Sequence, residues 1–378
     1  MSFSHATASE DEDNKIVVTF NQDYTSLAVG TKIGYKLYDL KKTDKLELLY
    51  ENNSGYTCIV ERMFSSSLLA TVNLSSPRKL QAWHFKKNAG ILQHSYMNTI
   101  LAVKLNRQRL VVCLEDSILI HNISDLKMIH TIKHIPLNPQ GLIALSPSND
   151  PCYLAYPAKN TTGEVNIFDA FKLENKLTIA AHDNPLVSMT FDSQGTKLAT
   201  ASDKGTVIRV FDTLKGSCIY EFRRGYARCV SIYSLSFSSD SLFLCASSNT
   251  ETVHIFKLAE NKPQEDDLSD MFMGAVKKVF QSASSIGLTS VGDMMNQWRS
   301  FATVRLPFSG PKSVCAITTP TSANRAPHVL VASTDGYLYV YDLNVVDGGD
   351  CTLIRQHCLI EDIGSPEAAP AQAAVVDN

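Results

Sequence analysis

Gly205-Thr-Val-Ile-Arg-Val-Phe-Asp212 decides the reading of this chain, because four other segments close in the same way. They are Lys32-Ile-Gly-Tyr-Lys-Leu-Tyr-Asp39, Gly163-Glu-Val-Asn-Ile-Phe-Asp169, Thr252-Val-His-Ile-Phe-Lys257 and Gly336-Tyr-Leu-Tyr-Val-Tyr-Asp342. Each alternates apolar positions and ends on an aromatic, followed in four of the five by Asp. Alternation with period two puts one row of side chains on each face of an extended strand. Phe211 follows Phe168 by 43 residues and precedes Phe256 by 45.

That spacing matches the roughly 40–45 residues of a propeller blade, and the shared ending resembles a degenerate WD-type blade strand. A weaker echo stands at His84-Phe85, 47 residues after Tyr38. Between the repeats, short β-type runs follow one another with turn residues between them. They include 16–20, 26–29, 34–40, 57–60, 68–72, 80–85, 99–105, 109–114, 118–123, 142–146, 152–156 and 164–168. The pattern predicts an all-β fold, a seven-bladed WD-type β-propeller over 16–360. A β-sandwich would have to reproduce the blade spacing by chance.

Residues 1–15 are polar and acidic and read as a disordered N-terminus, as does the Ala- and Pro-rich tail 361–378. The chain has 378 residues, 44% of them apolar and 19% charged, with a net charge of −3. So weak a negative balance gives no global attraction to nucleic acid or membrane, and anion binding must come from a local cluster. No apolar run approaches the ~20 residues of a membrane span, and residues 1–15 hold no signal core. The reading is cytoplasmic. The nine cysteines are scattered without a Cys-x-x-Cys pair, so they read as reduced core thiols and not as a disulfide or zinc framework.

One interval departs from the repeat. Phe256 and Tyr341 lie 85 residues apart, nearly two blades, and the excess falls at 259–300. Leu268, Met271, Phe272, Ala275, Val276, Val279 and Phe280 fall at helical spacing, with Lys277 and Lys278 on the other face. Val291, Met294, Met295, Trp298 and Phe301 make a second apolar stripe. A connection this long inside a compact domain is usually functional or disordered. Membrane contact, partner docking and a helical flap packed on the propeller all fit it.

The chemistry centres on Glu221-Phe222-Arg223-Arg224-Gly225. At the end of a strand, Arg223 and Arg224 would point to opposite sides and serve two pockets. Arginine suits bidentate phosphate contact. A shift of 45 residues carries Ala201-Ser202 onto Ala246-Ser247, Phe211 onto Phe256 and Arg209 onto His254. A basic residue inside an alternating apolar strand needs a partner, since burying it unpaired is costly. Small hydroxyl residues flank both. Two similar anion pockets follow. One uses Ser202, Gly205, Thr206, Arg209 and Arg223; the other uses Arg224, Gly225, Ser248, Thr252 and His254.

Phe222-Arg223-Arg224-Gly225, preceded by Ala201-Ser-Asp-Lys-Gly-Thr-Val-Ile-Arg209 and followed by Ser247-Ser-Asn-Thr-Glu-Thr-Val-His254, resembles the PROPPIN family of phosphoinositide-binding seven-bladed propellers, closest to its WIPI-like branch of animal autophagy proteins. The resemblance implies binding of phosphatidylinositol 3-phosphate and phosphatidylinositol 3,5-bisphosphate, one headgroup per pocket, with His182 and Thr200 bordering the first. It also implies that 259–300 is a membrane-contact loop in blade six, presenting Met271, Phe272, Val276, Phe280, Met294, Met295 and Trp298. The stretch 106–122 follows the same pattern. There the resemblance implies a surface near Arg107 that docks autophagy scaffold proteins of the ubiquitin-like lipidation machinery. Ser124 stands where some members carry a basic residue.

The expected role is that of a monomeric membrane adaptor in autophagosome assembly, recruited peripherally from the cytoplasm to phagophore, autophagosomal and endosomal membranes. No cofactor or metal enters this reading. A protein-only WD-repeat scaffold without lipid specificity is the alternative. An enzyme is not expected, because the sequence shows no Gly-rich phosphate loop, no metal-spaced His or Cys set and no nucleophile–base pairing. RNA binding lacks a broad basic patch with aromatics. His84, His94, His121 and His130 read as structural.

Overall fold

The computed structural model describes residues 16–224, 229–258, 299–318 and 327–360. They form seven sheets, each holding four antiparallel strands, in chain order. Blade one runs from strand Val17–Phe20 to Glu47–Asn52, blade two from Thr57–Arg62 to Ala89–Ser95, and blade three from Ala102–Leu105 to Met128–Lys133. Blade four runs from Ala144–Leu145 to Glu174–His182, blade five from Leu186–Phe191 to Cys218–Arg223, blade six from Ile232–Phe237 to Ala302–Arg305, and blade seven from Ser313–Thr318 to Thr352–Cys358. The innermost strands surround a central cavity of about 280 Å³, where Lys104 Nζ meets Glu61 at 2.6 Å. The N-terminal segment 1–15 and the tail 361–378 lie outside the described residues.

The repeated aromatic is what joins one blade to the next. Tyr38, Phe168, Phe211, Phe256 and Tyr341 sit on the third strand of their blades, opposite Leu27, Leu154, Leu198, Leu244 and Val329. Each packs toward the preceding blade. Phe211 joins a cluster with Ile167 and Ile179 of blade four, and Phe256 one with Phe222 and Ile208 of blade five. In blade two the same register position belongs to Trp83, opposite Leu69. The echo at His84-Phe85 is therefore displaced by two residues, and Phe85 opens a short 3-10 turn. In blade three the position holds His121, opposite Leu110. Its ring is buried between Tyr96 Oη at 2.8 Å and the Leu126 carbonyl at 3.0 Å, and burial pushes its pKa down. A satisfied neutral imidazole serves there as the aromatic.

Among the described residues the ring closes through side chains, with no strand exchanged between the end blades. Ile16, Val18, Leu27 and Val29 of blade one pack on Ala316, Leu330, Leu338 and Val340 of blade seven. Tyr38 Oη donates to the Leu359 carbonyl at 3.0 Å across the same seam.

The chain leaves blade six after Thr252–Lys257 and re-enters it at Ala302–Arg305, so 259–300 connects its third and fourth strands. Met271, Phe272, Val276, Phe280, Met294, Met295 and Trp298 fall outside the described residues. Phe301, read from the sequence as part of the second apolar stripe, belongs to the propeller instead. Its ring lies 5.7 Å from that of Phe243, under Lys257 Nζ at 4.9 Å, and its amide donates to the Ile255 carbonyl. A two-residue strand, Gly349–Asp350, pairs in parallel with Ala302–Arg305 and covers that sheet edge, which limits open-edge pairing with other chains.

Candidate anion-binding site on the rim of blades five and six

The two arginines diverge as strand alternation requires. Phe222, between Glu221 and Arg223, points into the core at 3% exposure and stacks on Phe256 at 4.7 Å. Glu221 and Arg223 therefore share the opposite face. Arg224 continues past the strand end, its amide donating to the Thr206 carbonyl at 3.0 Å.

Arg224 reaches blade six. Its Nη2 donates to Ser248 Oγ at 2.8 Å and also to Thr250 Oγ1. From there a hydroxyl chain runs through Thr250 and Thr252, 3.2 Å apart, to His254 Nε2, 3.3 Å beyond Thr252. Arg224 Nε and His254 Nδ1 are buried and have no hydrogen-bond partner among the described residues. Buried polar groups are normally paired, so the second pocket retains unused hydrogen-bonding capacity. Burial, and then the Arg224 charge, pushes the His254 pKa down to about 4. At neutral pH the positive charge of this pocket comes from Arg224. Gly225 lies outside the described residues. Thr250, absent from the predicted set, is the bridge that joins Arg224 to Thr252.

The first pocket sits at the seam of blades four and five. Arg209 Nη1 donates to the Ala181 carbonyl at 2.7 Å, crossing from blade five to blade four. His182 Nε2 lies 2.9 Å from Thr200 Oγ1, and Thr200 is paired with Arg209 across the strands. Burial, and then the Arg209 charge, brings the His182 pKa to about 4. Ser202, Gly205 and Thr206 form the connecting turn, in which the Gly205 amide donates to the Ser202 carbonyl at 3.0 Å. Ser202 is buried and Thr206 half-buried. They join the rest through the backbone: Thr206 holds Arg224, and the turn leads into Arg209.

Glycine is required at 205. Its φ is +61°, and an added Cβ would stand 1.9 Å from the Val230 carbonyl oxygen. Gly205→Ala is expected to cost about 1–3 kcal/mol of stability through backbone strain. Urea unfolding checks this. An alanine variant with the wild-type midpoint would contradict it.

A feature that sequence reasoning missed is Glu221. It lies directly across from Arg209. Its Oε2 accepts from Arg209 Nε at 2.9 Å, and its Oε1 from Arg223 Nη2 at 3.2 Å. Arg209 and Arg223 are thus brought together, but around a carboxylate.

The proposed 45-residue correspondence needs one correction. It holds for the third strands, where Arg209 and His254 both occupy the third, half-buried position. The second strands correspond at 46 residues, since Ser202 pairs with Leu186 as Ser248 pairs with Ile232. The connection from Ser248 to Thr252 is one residue shorter than that from Ser202 to Val207. Ser202 therefore matches Ser248, and Ser247 turns away, donating to the Ser313 carbonyl of blade seven at 2.7 Å.

Arg107 is exposed in the turn before strand Arg109–Cys113, with its guanidinium 3.6 Å from the centre of the Phe64 ring of blade two. The nine cysteines are all free thiols; Cys113, Cys152, Cys245 and Cys315 are buried and Cys58 and Cys351 half-buried, whereas Cys218, Cys229 and Cys358 are exposed and do not belong to the core. Among the described residues no helix is long and apolar enough to cross a membrane.

The seven-bladed propeller thus gathers Arg209, His182 and Thr200 at the seam of blades four and five, and Arg224, Ser248, Thr250, Thr252 and His254 at the seam of blades five and six. The PROPPIN family model matches residues 15–360, and the chain belongs to that family. It is 56% identical over 347 residues to WD repeat domain phosphoinositide-interacting protein 2 of Gallus gallus, covering 91% of this chain and 78% of that protein. It is 50% identical over 346 residues to WD repeat domain phosphoinositide-interacting protein 1 of Homo sapiens, covering 90% and 76%. Autophagy-related protein 18 of Caenorhabditis elegans is 39% identical over 381 residues, covering 97% and 91%. Among solved structures, Hsv2 of Kluyveromyces lactis superposes with a TM-score of 0.68 at 21% identity, covering 92% of this chain and 100% of that one. KlAtg21, solved with the coiled-coil of AgAtg16, gives 0.70 at 24% identity, covering 91% and 99%. Both likenesses establish the fold.

Proposed function

We propose that this protein is a non-enzymatic phosphoinositide-binding adaptor of autophagy. In this reading its two rim pockets each take one headgroup of phosphatidylinositol 3-phosphate or phosphatidylinositol 3,5-bisphosphate. The observation that carries the reading is the second pocket, where a guanidinium on two hydroxyls leads to a neutral imidazole with buried hydrogen-bonding atoms unpartnered. Phosphate oxygens meet that demand, and the relatives named phosphoinositide-interacting support it.

A charge-assisted hydrogen bond contributes roughly 1.5–3 kcal/mol, so one shallow pocket binds modestly. Two pockets on one rim engage the same membrane, and the second contact becomes intramolecular, which raises avidity. In this reading 259–300 adds bilayer contact at about 25 cal/mol per Å² of apolar surface buried. The propeller docks from the cytoplasm where lipid and bilayer coincide, on phagophore, autophagosomal and endosomal membranes. The exposed surface at Arg107 then remains free for scaffold proteins of the lipidation machinery, with the chain acting as a monomer.

Flotation of the wild-type chain with liposomes tests the reading. Recovery with the membrane is expected only when 3-phosphorylated lipid is present; lipid-independent recovery, or none, would favour a protein-only scaffold. Deleting 265–297, short of Phe301, is expected to weaken membrane residence several-fold while soluble headgroup binding persists. Loss of headgroup binding in that deletion would place the segment in the pockets themselves.

A further inference from the structure

We propose that Glu221 is an intramolecular competitor of the headgroup in the first pocket, so that the two pockets are unequal and fill in order, the second before the first. The inference rests on the lipid-binding reading above and concerns how that site is regulated.

Three observations carry it. First, the carboxylate stands where a phosphate would: one oxygen accepts from Arg209 Nε at 2.9 Å and the other from Arg223 Nη2 at 3.2 Å. A planar carboxylate spread over two guanidiniums presents the same paired acceptors as an oxyanion ligand. Second, strand geometry imposes the arrangement. Glu221 faces Arg209 across the ladder and lies two residues from Arg223 on one face, and opposite charges so placed attract. Third, the second pocket is built differently. Among the described residues Arg224 is held by the hydroxyls of Ser248 and Thr250, with no carboxylate, and its Nε remains unpartnered.

The consequence is a difference in what binding must undo. A phosphate entering the second pocket adds to a hydroxyl frame. One entering the first must turn Glu221 away from both arginines and leave it beside a like charge. The side chains are 31–41% exposed, with Arg209 the lowest and Arg223 the highest. Solvent-screened pairs of this kind are weak, so the carboxylate can be displaced without disturbing the sheet.

The test uses the full chain with Arg224→Thr, which confines binding to the first pocket, and inositol 1,3-bisphosphate as the soluble probe. Calorimetric titration should give about tenfold tighter binding when Glu221→Gln is added, equivalent to about 1.4 kcal/mol. Glu221→Ala should tighten binding in the same direction, which separates removal of the charge from any new hydrogen bond made by glutamine. Thermal unfolding of each variant verifies that the propeller is intact. Equal or weaker binding in both folded variants would overturn the proposal and make Glu221 a positioning group for Arg209 and Arg223. If the wild-type chain binds no probe, the lipid reading itself fails and the competitor idea falls with it. If wild type binds and the Glu221 variants do not tighten, only the competitor idea falls.

Discussion

Replacing Arg223 and Arg224 together by threonine is expected to abolish flotation with liposomes carrying phosphatidylinositol 3-phosphate while leaving the propeller folded. The double change removes one guanidinium from each pocket. Each charge-assisted contact is worth roughly 1.5–3 kcal/mol, so the loss is about 3–6 kcal/mol, a hundredfold or more in affinity. The fold has little at stake at either position. Arg223 is 41% exposed and pairs with a solvated Glu221, an arrangement worth about 0–1 kcal/mol. Arg224 touches hydroxyls that water can satisfy in its place, and its backbone bond to Thr206 does not depend on the side chain. Wild-type flotation by the double variant would sink the two-pocket account. An unfolded variant would contradict the claim that these residues belong to the rim and not to the core.

Phe256→Ala should have the opposite profile, with a large loss of stability and an indirect loss of binding. The ring is fully buried and stacks on Phe222 across the seam of blades five and six. Truncating a buried Phe costs about 3–5 kcal/mol in transfer and cavity terms. Phe222 holds the strand that carries Glu221 and Arg223, so slack at this stack reaches both pockets. Urea unfolding should show a midpoint well below wild type. A midpoint within error of wild type would show that blades five and six are held together by something other than the repeated aromatic.

The same aromatic explains how far the sequence could be read. Alternation and spacing exposed five of the seven third strands because Tyr or Phe closes each of them. Blade two was off by two residues because Trp83 and Phe85 both offer an aromatic, and only the pairing of Trp83 with Leu69 decides between them. Blade three is missing from the repeat, although its runs at 109–114 and 118–123 are read as strands, because its aromatic is an imidazole that burial makes neutral. In the site, Arg224 with Ser248 and the matched positions of Arg209 and His254 were legible, since they follow from alternation and repeat. Glu221 was not. Its role depends on which residue of Val207–Asp212 it faces, and that register passes through a β-bulge between Val210 and Phe211. The one-residue difference between Ser202 and Ser248 has another origin, a turn shortened by one, to which a constant repeat length is blind. Phe301 shows the limit of helical spacing: the apolar pattern runs into the fourth strand of blade six without marking where the strand begins.

The most direct measurement of the central claim is the stoichiometry of inositol 1,3-bisphosphate on the wild-type chain in solution, where no membrane holds a second site nearby. Two headgroups per chain, falling to one in Arg224→Thr, are expected from two pockets separated by Phe222. A single headgroup on the wild-type chain, lost altogether in Arg224→Thr, would contradict them.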